Sequence, residues 1–261
     1  MKYTLRFIFS LLALILSGIG LAQKKDTTKV IYPERYGLRV GVDLHRLTKS
    51  FYDDNYKGLE IVADYRLARK FYIAGEIGNE EKTVDDIRLN FTTEGTYIKV
   101  GFDYNSFENW LDMENMIYTG MRYGISSFNQ TLNSYKIYEP TNHYGETIVT
   151  SGEQFSGLNA SWIEIIGGVK AELFNNLYLG FSLRLNYLIS NKVPENFDNL
   201  YIPGFNRTYD GKFGAGLNYT ISYFIPIYKK NKDIKNKSQT CFFLASLPIH
   251  FYLIYRNSGV D

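Results

Sequence analysis

Three histidines and a few carboxylate pairs have the best claim to chemistry in this chain. The histidines are His45, His143 and His250. His45, Ser50 and Asp53 supply the residue types of a lipase-type relay, in which a carboxylate orients an imidazole that activates a hydroxyl. Their spacing does not support it. No Gly-x-Ser-x-Gly elbow and no His-Glu-x-x-His stretch occurs, and both chemistries depend on those local geometries. The expectation is therefore no enzyme. Asp53-Asp54, Glu80-Glu81 and Asp85-Asp86 could hold a divalent cation, but they lack the ligand spacing of a calcium loop. They read as solvated loop acids. The single Cys241 rules out an intramolecular disulfide framework and any Cys/His zinc set. No cofactor or metal site is expected. The formal net charge of +2, without a basic stripe, argues against nucleic acid as a partner.

More informative are charges that recur at every second position. Arg39, Asp43, Glu60, Asp64, Arg66, Glu76, Lys99, Asp103, Arg122, Glu164, Lys170, Glu172 and Arg184 each alternate with apolar residues. Period two means strands with two unlike faces. The clearest run starts at Phe213. There Phe213, Ala215, Leu217, Tyr219, Ile221 and Tyr223 share one face, and Gly214, Gly216, Asn218, Thr220 and Ser222 share the other. Eight such segments are expected near 36–45, 57–67, 71–78, 88–104, 116–128, 158–173, 177–189 and 213–228. Long connections follow the odd segments, at 46–56, 79–86, 129–157 and 190–208. Short turns follow the even ones. An even count and alternating loop lengths predict an all-β, eight-stranded antiparallel up-and-down transmembrane barrel.

The ends set the organisation. Residues 1–22 read as a cleavable signal peptide. Lys2 and Arg6 precede an apolar run, and Gly20-Leu21-Ala22 offers a cleavage site before Gln23. Residues 23–35 read as a flexible lead-in and 36–228 as the barrel. Residues 229–261 read as a Lys-rich linker and an apolar tail of no assigned role. No later stretch up to Tyr228 has the ~18 apolar residues of a spanning helix.

With the apolar faces toward lipid, the charged set fills the barrel. An eight-stranded barrel is just wide enough for side chains to fill it. Acids and bases are nearly matched, so a salt-bridged plug is the main expectation and a narrow conduit for ions or small solutes is the alternative. Tyr65, Phe71, Tyr104, Trp110, Tyr123, Trp162, Tyr187 and Tyr223 lie near segment ends and are expected in interfacial girdles. The longest connection carries Tyr135, Tyr138, His143, Tyr144 and Phe155, and is the candidate binding surface. A soluble lipocalin-like barrel is the rival fold, and it would need the charged set outside.

The N-terminal pattern, the eight segments and the last run, with glycines followed by spaced aromatic and apolar residues, resemble the small outer-membrane β-barrel superfamily. That is the eight-stranded type that includes the N-terminal domain of outer-membrane protein A, and the nearest likeness is to its uncharacterised Gram-negative families. The resemblance implies outer-membrane lipid and the barrel-assembly machinery as partners, and an envelope protein partner at the long loops. It names no activity. The chain after Lys229 departs from the pattern, since an assembly signal of this kind usually ends the chain.

Overall fold

The structure, a computed structural model, describes residues 34–107, 114–137, 148–194, 197–206 and 211–230. The signal-peptide segment, nearly all of the lead-in and the tail after Lys230 lie outside the described residues. So do Trp110, Tyr138, His143, Tyr144 and His250.

Eight antiparallel strands close into a barrel in chain order. They are β1 (Glu34–Asp43), β2 (Tyr56–Arg66), β3 (Phe71–Asp85), β4 (Leu89–Asn105), β5 (Met116–Lys136), β6 (Ile148–Phe174), β7 (Leu177–Asn191) and β8 (Phe213–Lys230). β1 pairs with both β2 and β8, so no sheet edge is left at the closure. The period-two pattern is obeyed as a wall with an apolar outside. Ile61, Ile77, Ile98 and Ile125 are cross-strand neighbours along one outward row, and each is more than 40% exposed. Two residues further up, Asn79, Thr96, Ser127 and Asn159 form a polar outward row in register. The apolar belt ends there. The inside is charged, with Glu60, Lys99, Glu164 and Asp103 at most 1% exposed. This inverts a water-soluble barrel, whose interior is apolar, and so excludes the lipocalin-like alternative.

Three expected boundaries are corrected. The first connection is not a loop alone. Residues Leu44–Tyr52 form a helix, α1, and Asp43 caps it by accepting from the His45 backbone N–H at 2.7 Å. β3 runs on to Asp85 where a loop was expected from residue 79. The long connection expected at 129–157 is largely a hairpin, because β5 extends to Lys136 and β6 starts at Ile148. Above the belt the outward face of these strands turns polar, so the apolar/polar alternation that marks a strand in lipid fades while the backbone ladder continues. β3 to β6 thus rise as a fin above the other strands. From Ser127 to Lys136, β5 climbs about 30 Å along its own axis.

Candidate functional site

The site is the filled interior and its cap. Near the chain's entry to β1, Arg35 pairs with Glu172 at 3.1 Å and Glu114 at 3.3 Å, while Arg66 pairs with Glu34 at 3.1 Å. In the next layer Lys170 reaches Asp64 at 2.6 Å, Arg39 reaches Asp64 at 3.6 Å, and Arg122 reaches Asp103 at 2.8 Å. The Arg39 guanidinium also lies 4.3 Å from the Tyr178 ring centroid. Above it, Lys99 stands among three carboxylates, Glu60, Glu76 and Glu164, at 3.2, 3.3 and 3.4 Å. Arg184 joins Glu76 at 2.5 Å and Glu164 at 3.2 Å. Of the thirteen charges singled out from the sequence, eleven meet in one continuous network of ion pairs, which Asp43 joins through Arg46, while Arg66 and Glu172 belong to a separate cluster with Glu34, Arg35 and Glu114. Buried charges are costly unless each finds a partner, and each carboxylate here faces at least one cation.

At the mouth, Arg46 and Glu80, also outside that set, extend the network. Arg46 enters from α1 and contacts Asp43 at 2.7 Å, Glu60 at 3.5 Å and Glu80 at 2.6 Å. Glu80, read above as a solvated loop acid, is fully buried. Its alternation with Glu76 and Gly78 was the signal that could have placed it inside. One carboxylate oxygen of Glu80 accepts from the Arg46 Nε–H and from the Tyr56 hydroxyl at 2.7 Å. The other accepts from the Tyr201 hydroxyl at 3.1 Å and the Gly204 backbone N–H at 2.7 Å. Burial and the adjacent carboxylate push the Tyr201 phenol far up, so it stays a donor. Asn218 donates to Asp43 in the same region.

Tyr201 and Gly204 belong to the β7–β8 connection, which folds into the barrel mouth. Ile202 and Phe205 are fully buried there. They pack with Tyr97, Phe128, Leu158, Ala160, Trp162 and Leu188 as an apolar layer over the charges. Gly204 has φ +82°, and a Cβ there would run into the Tyr97 ring. Trp162 corrects an expectation. It is not a girdle residue but points inward, fully buried, and its indole N–H donates to Glu164 at 2.7 Å. Gly124 makes room for it, since a Cβ there would strike the indole. No periodic signal in 190–212 announced this cap.

The rim groups do not form a relay. The His45 ring sits edge-on to Tyr219, with centroids 5.5 Å apart. Ser50 accepts from the Gly58 N–H at 2.8 Å and donates to the Arg46 carbonyl at 3.0 Å. Asp53 takes Lys82 at 2.8 Å, and this hydrogen bond holds its carboxyl below the usual range. Each group serves the docking of α1. No cluster of His, Cys, Asp and Glu suited to a metal ion occurs among the described residues. Within the candidate binding surface, Tyr135 stands on β5 and Phe155 on β6. Phe155 stacks on Phe197 at 5.7 Å, so it packs against the cap connection.

No curated protein matches the chain. Among solved structures, Neisserial surface protein A is similar, with 11% identity, a TM-score of 0.40, and coverage of 73% of this chain and 95% of that chain. Ail, the attachment invasion locus protein of Yersinia pestis, is similar at 8% identity and a TM-score of 0.38, covering 74% and 100%. Both likenesses are distant. A family model matches residues 4–230, which take in the whole barrel and most of what precedes it, and the chain belongs to that family, described as a domain of unknown function (DUF6048).

Proposed function

We propose that this protein is a closed outer-membrane barrel whose role is structural or that of an interaction module, presenting its fin and cap to the exterior. One observation carries the reading: the interior is filled from end to end. Ion pairs occupy the lower and middle layers, and Ile202 and Phe205 close the mouth. A conduit would need a polar path open to water, and the charges that would line it are nearly inaccessible. The outward apolar belt and the inward charges support a lipid setting. Only helices and closed barrels satisfy their backbone there, and this barrel is closed. The secretory-type N-terminus supports export. No catalytic assignment is made, because the rim groups are committed to α1. Planar-bilayer recording on the refolded chain tests the reading. A folded, heat-modifiable barrel that stays silent supports it. Stable, salt-proportional conductance steps would replace it with the small-solute channel.

A further inference from the structure

Helix α1 stands where the barrel wall is incomplete. β1 leaves β8 at Asp43, opposite Thr220, and leaves β2 at Val42, opposite Ile61. Above those points β8 from Phe213 to Tyr219 and β2 from Tyr56 to Glu60 have no β1 between them. α1 packs against both, through His45 on Tyr219 and Ser50 on Gly58. It therefore serves as a segment of wall.

Its polarity is reversed. Leu44, Leu47 and Phe51 follow the i, i+3, i+7 spacing of one helical face. In an ordinary surface helix such a face packs on the protein. Here the polar face does so. Arg46 is buried in the ion-pair network, Ser50 bonds to β2, and the Lys49 ammonium lies 4.2 Å from the Tyr56 ring centroid. Phe51 is 81% exposed and Tyr52 beside it 70%, while Leu44 and Leu47 on the same side are half-buried. Leu44 also continues the outward row of Val40 and Val42. Exposed Leu59 and Ile61 flank it on β2, and exposed Leu217 on β8. The stripe is thus continuous with the apolar belt, and it lies at the level where that belt gives way to polar residues.

We infer that α1 is an interfacial helix, seated in the outer leaflet with Leu44, Leu47 and Phe51 among the acyl chains. The inference rests on the reading that the belt lies in lipid. Its occupant is lipid and not a protein partner, because the stripe is flush with the belt. A helix of this kind buries its apolar face about 5–10 Å below the headgroup boundary. It makes α1 the segment through which the state of the outer leaflet reaches the interior, since Arg46 on its other side grips Asp43, Glu60 and Glu80.

The test uses the full chain in phosphatidylcholine vesicles, with Cys241 replaced by Ser and single nitroxide-labelled cysteines at 40, 51 and 54. Collision with oxygen reports lipid, and collision with a water-soluble nickel chelate reports solvent. Each labelled variant must keep the heat-modifiable mobility of the parent. The expected result is an oxygen-to-nickel ratio at 51 that matches the belt site at 40 and exceeds the site at 54. A ratio at 51 like that at 54, with 40 still lipid-like, overturns the inference and leaves the membrane reading standing. A label at 51 that is immobile and shielded from both reagents also overturns it, in favour of protein contact. Nickel access at 40 overturns the membrane reading itself and the inference with it.

Discussion

Replacing Glu80 by Gln separates the two halves of the mouth. One carboxylate oxygen holds Arg46 and Tyr56, and the other holds Tyr201 and the Gly204 N–H. Glutamine keeps one acceptor, which the Arg46 guanidinium claims. Its amide nitrogen then faces the Gly204 N–H, donor against donor. A buried amide left without an acceptor costs about 1–3 kcal/mol. That opens the cap about 5- to 150-fold more often. Ion pairs below are untouched, because Arg46 retains Asp43 at 2.7 Å, so the barrel should not unfold globally. Native-state hydrogen exchange in detergent reads this directly. The amides of Ile202, Phe205 and Asn206, which bond within the cap, should lose protection by that factor, while the paired amides of β7 keep theirs. Tyr201→Phe removes a single neutral donor and should cost about 1 kcal/mol. Unchanged protection in the cap of a folded Glu80→Gln protein would refute the role of Glu80 in holding the cap down, and a uniform loss over cap and strands would show that no separate cap exists.

Lys99→Met leaves Glu60, Glu76 and Glu164 sharing one cation fewer, and breaking a buried set of this kind costs roughly 3–5 kcal/mol; the urea midpoint of the refolded barrel should fall accordingly. Trp162→Ala removes the largest fully buried side chain among the described residues and a donor to Glu164, at roughly 3–5 kcal/mol, read by the temperature at which the folded gel band disappears. Asp53 has a folded pKa below its ordinary value of 3.8, from the Lys82 hydrogen bond. Its contribution is complete above that value and is lost as pH falls through the folded pKa. Acidification below about pH 4 should therefore loosen the C-terminal end of α1, seen as greater mobility of a spin label at Thr48, while Asp53→Asn should be loose at every pH.

Strand phase was legible because lipid and a filled interior impose opposite chemistries on alternate residues. Arg39, Glu60, Lys99 and Arg184 could be placed from spacing alone. What escaped lies where one of those two constraints lapses. Above Asn79 the outer face meets water, so β3 and β5 continue without an apolar partner to their inward residues, and Glu80 looked like a loop acid. Trp162 shares the phase of Glu164 two residues on, but as an aromatic near a segment end it read as a girdle residue, and that expectation overrode the phase. α1 is nine residues long, and its Leu44–Leu47–Phe51 spacing is brief enough to pass for the end of a strand. The Asp43 cap was the one local cue. Ile202 and Phe205 carry no period at all, because a plug residue is fixed by the cavity it fills.

The apolar wall is also uneven in height. On β3 it runs from Phe71 to Ile77, roughly 20 Å along the strand, while on β8 it runs from Phe213 to Ile227, more than twice as far. A bilayer of uniform thickness matches only one of these sides. Hydrophobic mismatch costs fractions of a kcal/mol per Å, and it is relieved by tilt of the protein or by local thinning of the lipid. The short side is the one that carries the fin. Set in such a bilayer, the barrel would lean toward this side or thin the lipid beside β3 and β4.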